Sequence, residues 1–143
     1  MQTAELNPQN LLSALPAIPE DTPIVMLNLL RYREQANYGD RTELGSRSGR
    51  EAYFQSYVPA FSAIAARSEN TKSVRPIFLG AVLAGLVGPA DERWDDVALV
   101  EYPNIAAFRS VVESPEYARD AAPHRKAALE NWRLIAMLKQ PLG

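Results

Sequence analysis

Asn28 lies inside the run Ile24-Val-Met-Leu-Asn-Leu-Leu-Arg-Tyr32, flanked on both sides by leucine. Asparagine is depleted in strands, and an amide buried in one must find hydrogen-bond partners. It can hold a substrate carbonyl or phenolate, or satisfy a helix end or a bulge, and the residue type leaves both roles open. Glu101 closes a second apolar run, Trp94 to Tyr102. A partly buried carboxylate there serves as a base or pairs with Arg31 or Arg125. His124 follows Pro123 and is the only histidine. Acid-base chemistry or haem ligation would use it, although a solvated residue in the first turn of a helix is the simpler reading. Tyr53 and Tyr57 stand one helical turn apart and Tyr117 follows a Ser-Pro pair. Their hydroxyls are suited to line one cavity, and the same spacing describes ordinary core packing.

Several signatures are missing. Gly80, Gly85 and Gly88 have neither dinucleotide-binding nor phosphate-loop spacing, and no Lys-Ser/Thr follows them. Gly45-Ser-Arg-Ser-Gly49 has Arg47 where a nucleophile elbow needs serine, and no strand precedes it. One histidine and no cysteine exclude paired-histidine and thiolate zinc sites, so neither a metal nor a cofactor is expected. Arg31, Arg33, Arg41, Arg47 and Arg50 suggest an anion clamp after the first apolar run, but Glu34, Asp40, Glu43 and Glu51 nearly cancel them. A solvated loop is the expectation there.

The chain of 143 residues is the size of one domain, with 47% hydrophobic and 22% charged residues, so it folds rather than staying disordered. A formal charge of -2 offers no field to gather phosphates, which argues against nucleic acid. No secretory leader pattern opens residues 1 to 10 and no run is long enough to span a bilayer. With no cysteine, the expected location is the cytoplasm, without membrane association.

The elements that must position these residues follow from punctuation and period. Asn7-Pro8 opens a short helix with Leu11, Leu12 and Leu15 on one stripe, and prolines 16, 19 and 23 keep the connector extended. The first strand is Ile24 to Tyr32, followed by a polar stretch from Arg33 to Arg47. Ser48 and Glu51 form a capping box for a helix to about Arg67, which Pro59 should kink. Ile77 to Val87 and Trp94 to Tyr102 read as a hairpin. Asn104 caps a helix that restarts at Ser114-Pro115 and Pro123, and Leu134 to Leu138 forms the last strand.

The order β, α, β, β, α, β predicts an α+β, ferredoxin-like domain with both long helical segments on one face of a four-stranded antiparallel sheet. Residues 1–22 form an added helix and connector, and 23–143 the single domain. The first and third strands are expected side by side and parallel, which brings Asn28, Arg31 and Tyr32 near Glu101 and Tyr102. Along the strands both faces are apolar: Val25, Leu27 and Leu29 oppose Ile24, Met26 and Leu30, and Val97 and Leu99 oppose Ala98 and Val100. A soluble monomer avoids such a bare face, so a second copy is its simplest cover, with the N-terminal helix the competing one.

The Ile24 to Arg33 motif, Val100-Glu-Tyr-Pro103, Ser114-Pro-Glu-Tyr117 and His124-Arg125 together resemble the bacterial domain-of-unknown-function family 1330. The resemblance covers residues 23 to about 138. It implies membership of the dimeric α/β-barrel superfamily, a homodimer with facing sheets. That superfamily includes cofactor-free monooxygenases, isomerases, haem-handling enzymes and proteins without known activity, so fold alone does not choose a chemistry.

Taken together, the catalytic candidates are Asn28, Glu101 and His124, and the ligand-binding candidates are Asn28, Arg31, Tyr32, Tyr57, Glu101, Tyr117 and Arg125. The reading is a homodimer that binds a small, partly apolar organic molecule between helices and sheet, with a cofactor-independent reaction as one outcome. A non-enzymatic dimerisation module is the alternative, and haem handling through His124 a third.

Overall fold

The structure, a computed structural model, describes residues 3–41 and 44–142. Helix α1 (Pro8–Ala14) starts where the Asn7 side chain accepts from the backbone N–H of Gln9, and a 3₁₀ turn, Leu15–Ala17, follows it. Strand β1 runs Ile24–Tyr32 as expected. Helix α2 comprises an α-helical turn Gly49–Ala52, a π-helical turn Tyr53–Tyr57 and an α-helical segment Val58–Ala65. The Ser48 and Glu51 capping box is formed in both directions. Strands β2 (Arg75–Ala81) and β3 (Asp96–Tyr102) follow, then α3 (Ile105–Val112) capped by Asn104. Helix α4 joins a π-helical turn Tyr117–Ala121 to an α-helical segment Ala122–Ala128, and β4 runs Leu129–Met137.

The four strands form one sheet in the order β2-β3-β1-β4, every neighbouring pair antiparallel. This is the ferredoxin-like α+β arrangement. It corrects the parallel pairing expected of β1 and β3. The crossover through α2 returns β2 parallel to β1, and the β2 to β3 reversal then makes β3, which lies between them, antiparallel to both. Ile24 therefore faces Tyr102 and Leu30 faces Asp96. Two further boundaries differ. β2 stops at Ala81 instead of continuing to Val87, where glycines at 80, 85 and 88 deprive the run of side chains to pack. β4 begins at Leu129, five residues before the expected Leu134, because its start is pinned by pairing with Tyr32 and Arg31 of the central strand.

Pro59 does not simply kink α2. A proline lacks the N–H and crowds the carbonyl four residues back. Both helices accommodate one with a widened turn just upstream: Val58 N–H bonds the Tyr53 carbonyl ahead of Pro59, and Ala122 N–H bonds the Tyr117 carbonyl ahead of Pro123. Such one-turn π segments recur at functional sites.

The core lies between the helices and one sheet face. Leu30 and Leu129 are fully buried there with Ala52, Val111 and Ala121. Helix α1 packs through Leu11 against Met26, Ile105 and Phe108, on that same side. It therefore does not cover the opposite face, where alternation puts Leu27, Leu29, Val97, Leu99 and Ile135. Ile135 there is 47% exposed. Leu83, Leu86 and Val87, in the segment between β2 and β3, are almost wholly exposed.

Candidate functional site

A cavity of about 400 Å³ opens between α2 and the sheet, floored by Asn28, Ala98 and Val100 and walled by Tyr53, Tyr57 and Phe61. Phe78 and Leu79 of the edge strand β2 and the basic side chains Lys72 and Arg75 stand at its border. No carboxylate or imidazole is among its lining residues.

Two polar groups in this apolar wall are oriented by neighbours behind it. The buried indole Nε1 of Trp132, on β4, donates to Asn28 Oδ1 at 3.0 Å. That fixes the amide, so its Nδ2 carries the free hydrogens, and these have only the carbonyls of Met26 and Ala98, both at 3.4 Å. Such contacts lie beyond the usual N–H···O range, leaving donor capacity for a guest.

The second group is Tyr57. Its hydroxyl is 2.9 Å from that of Tyr117, and Arg125 Nη1 donates to Tyr117 Oη at 2.7 Å. Guanidinium only donates, so Tyr117 accepts from it. If Tyr57 also donated to Tyr117, the Tyr117 proton would be stranded in the interior, at the cost of an unsatisfied buried donor. The favoured direction is therefore Arg125 to Tyr117 to Tyr57, which turns the Tyr57 proton toward the cavity. Burial, with Tyr117 and Tyr53 adding to it, holds the Tyr57 hydroxyl well above the ordinary phenol range, and Arg125 pulls the other way. Tyr57 stays protonated and is a donor.

Arg125 is 5% exposed and lies over the rings of Trp132 and Tyr117, at 5.0 and 5.7 Å from their centroids. Its ion pair with Glu5, at 3.9 Å, is loose. Aromatic faces thus supply much of the environment of this buried cation. Asn28, Trp132, Arg125, Tyr117 and Tyr57 form a continuous chain of contacts behind the cavity.

The other candidates lie elsewhere. Glu101 pairs with Val25 at the opposite end of β1 from Tyr32, and it faces away from the cavity. It binds Arg75 at 3.0 Å and Lys139 at 2.6 Å, not Arg31 or Arg125, and those two cations hold its carboxyl below the usual range. Arg31 points to the same outer face and pairs with Glu130 at 2.8 Å. Tyr32 donates to buried Asp96 at 2.7 Å, which also binds Arg50 at 2.9 Å. Burial and Asp96 raise the Tyr32 hydroxyl far above its normal range. Tyr117 and Arg125 stand one layer behind the wall, acting through Tyr57.

His124 does not line the cavity. Its Nδ1 is 2.6 Å from the Tyr38 hydroxyl, to which Arg47 donates at 2.7 Å. Burial, then Arg47 and Arg41, lowers its pKa. This corrects the solvated reading of His124, whereas the loop after Arg33 is exposed at most of its described residues, as expected. The loop is held by Arg33 N–H to the Ala128 carbonyl, Asn37 N–H to Ala127 and Ala36 N–H to Arg47. Glu43, one of the acids expected to offset its arginines, lies outside the described residues.

Tyr53 lines the cavity as its spacing from Tyr57 suggested, whereas Trp132 was not legible beforehand. The usable signal was the need of a buried indole N–H for an acceptor, with Asn28 unpartnered on an apolar strand. Among the described residues no cluster of three acidic or histidine side chains is disposed to hold a metal, and no helix is long and apolar enough to cross a membrane.

No protein-family model matches the chain, and no curated protein matches it. Solved structures do. RPA0582, a protein of unknown function from Rhodopseudomonas palustris, is 31% identical with a TM-score of 0.82, covering 99% of both chains. The methylated form of RPA0582 gives 32% identity and a TM-score of 0.84, over 99% of this chain and 98% of that one. A protein from Bacteroides fragilis, described as dimeric, of unknown function and of ferredoxin-like fold, is 14% identical with a TM-score of 0.43, over 85% of this chain and 100% of that one. At 31% identity over 99% of both chains, this chain belongs to the family of the Rhodopseudomonas palustris protein RPA0582.

Proposed function

We propose that the cavity between α2 and the sheet binds a small, partly apolar organic molecule through a carbonyl or phenolate oxygen. The observation that carries this reading is the pair of preoriented donors, Tyr57 Oη and Asn28 Nδ2, in a largely apolar and aromatic wall whose charged side chains, Lys72 and Arg75, stand at its border. With no carboxylate or imidazole in the lining, the chemistry this site supports is stabilisation of negative charge as it develops on that oxygen. No cofactor enters this reading. Arg125 adds a positive charge two hydrogen bonds away, where burial keeps it effective.

The functional unit in this reading is a homodimer in the cytoplasm. The outer face of the sheet is apolar along β1 and β3 and α1 packs on the other side, so a second copy is the cover that remains. The motif resemblance to domain-of-unknown-function family 1330 supports the same assembly.

Thermal-shift screening of aromatic acids, quinones and lactones tests the site. A binder should raise Tm in wild type and in Glu101→Ala, and lose most of that gain in Tyr57→Phe and Asn28→Ala. An equal gain in all four proteins, or no binder in the panel together with loss of stability alone in the two cavity variants, favours a non-enzymatic dimerising module.

A further inference from the structure

The apolar run of β2 continues past the end of the strand, and no residue from Pro76 to Ala90 is charged. Leu83, Leu86 and Val87 are 96, 93 and 98% exposed, and a Cβ at Gly85 would meet no atom of the described residues within 4 Å. The segment therefore stands clear of its own chain. Its base is fixed: Val82 N–H donates to the Asp95 carbonyl at 2.9 Å, and Asp95 N–H to the Leu30 carbonyl at 2.8 Å. We infer that residues 82–87 are an arm that packs on a second copy of this chain, across the Phe78 and Leu79 border of that copy's cavity, so that each ligand site is completed by the partner. The inference rests on the cavity and homodimer readings above.

The surface that fits the arm is on the same molecule. β2 is an edge strand exposed along almost its whole length, with Ile77, Phe78 and Leu79 presenting large apolar side chains to solvent. Edges of this kind are ordinarily guarded by lysines or covered. Phe78 pairs with Leu99 of the outer face and Leu79 with Ala98 of the cavity floor, yet both stand at the border of the cavity, so its mouth opens around this edge. An apolar arm and an apolar mouth on one chain are self-complementary, and a two-fold axis joins them twice.

Direction and area agree with this. The ring of Trp94, on the returning limb of the same connection, lies 5.2 Å from the Arg133 guanidinium, and Arg133 pairs with Leu29 of the outer face. The arm thus leaves the sheet on the side that the second copy is to cover. The chain exposes 9105 Å², where a monomer of 15.8 kDa exposes about 7,300 Å². The surplus is larger than the area of about 800 Å² that each partner buries in a standard interface.

A chain without cysteine permits a direct test. Leu86→Cys and Leu79→Cys are prepared separately, one carrying a size tag, refolded together and oxidised. Disulfide-linked pairs of unlike chains should form well above the level given by Leu86→Cys with Leu12→Cys, a half-exposed position on α1. Leu83→Ser with Leu86→Ser and Val87→Ser changes only exposed side chains, so secondary structure should be kept. In sedimentation the dimer of this triple variant should dissociate at a concentration at least about tenfold higher than wild type, and a ligand that raises the wild-type Tm should bind it more weakly. No unlike-chain cross-link above the Leu12→Cys level, or a triple variant that dimerises as tightly as wild type, would overturn the arm and leave the cavity and homodimer standing. Cross-linking and dimer loss as described, with no binder found, would support the docked arm and sink the cavity reading alone. A monomeric wild type that associates with phosphatidylcholine vesicles, while the triple variant does not, would assign the arm to a lipid surface and overturn the second copy as its occupant.

Discussion

The hydroxyls of Tyr57 and Tyr117 lie 2.9 Å apart although 60 positions separate them, and each sits at an edge of a π-helical turn. The two turns answer to two prolines, Pro59 and Pro123, which make the α-helical register costly at these points. A backbone irregularity in each helix thus delivers one partner of the hydrogen bond that orients the cavity donor.

The two tyrosines should respond differently to loss of the hydroxyl. Tyr57→Phe removes the donor facing the cavity and leaves Arg125 bonded to Tyr117, so stability should fall by about 1 kcal/mol while binding of a carbonyl ligand weakens about tenfold. Tyr117→Phe strips a buried guanidinium of its acceptor and should cost about 2 to 3 kcal/mol. Urea unfolding and ligand titration of both variants read the split; a larger stability loss in Tyr57→Phe would reverse the proposed bond direction.

Pro59→Ala restores an N–H and removes the ring that opposes a regular turn. Relaxation of the Tyr53–Tyr57 turn toward α-helical geometry would rotate Tyr57 relative to Tyr117. Unchanged or raised thermal stability with weakened ligand binding is the expected result. Retained binding, or a crystal structure of the variant keeping the wide turn, would detach the proline from the site.

The sequence made the fold legible and left the site half-read for identifiable reasons. The apolar period of Ile24–Tyr32 and the Ser48 and Glu51 capping box depend on neighbours within a few residues, and both appear as expected. Asn28 and Tyr57 stood out by residue type and do meet at one cavity. Glu101 was misplaced because its neighbourhood hangs on strand direction, and one wrong direction carries a residue to the other end of β1. Trp132 was missed because its partner, Asn28, is 104 positions away, a distance no local pattern reports.

Gly49 is required by contact rather than by an unusual backbone angle. A Cβ there would collide with the carbonyls of Ala128 and Arg33, atoms that belong to the anchored root of the loop. Neither backbone can yield without breaking the Arg33 N–H to Ala128 bond. Gly49→Ala should therefore cost about 1 to 3 kcal/mol, the usual range for overpacking, where an exposed helix-start position would gain from the same change. Chemical denaturation decides; a stabilised variant would contradict the packing.

The outer sheet face gives a prediction about assembly. Leu99 and Ile135 both flank Leu27 there, one on each neighbouring strand. A charge on that face should oppose burial against a second copy and be tolerated by a monomer, whose core lies on the other side. Sedimentation at micromolar concentration should give a dimer for wild type and a monomer of native secondary structure for Leu99→Glu with Ile135→Lys. A monomeric wild type would leave the apolar face unexplained and defeat the assembly.

His124 makes stability depend on pH in a predictable direction. Its folded pKa lies below the ordinary 6.5, chiefly by burial and then by Arg47 and Arg41. The unfolded chain thus takes up the proton first as pH falls. The contribution of neutral His124 is complete above about pH 6.5. It declines as pH drops from there through the lower folded value, because only then must the ring charge beside two arginines and give up Nδ1 as acceptor for Tyr38. Wild type should lose stability on acidification below pH 6.5 more steeply than His124→Gln, and in Arg47→Gln the imidazole should titrate at higher pH in a ring-proton NMR titration. Parallel stability curves for wild type and His124→Gln, with an unmoved imidazole in Arg47→Gln, would remove His124 and its Tyr38 and Arg47 partners as the source of the dependence.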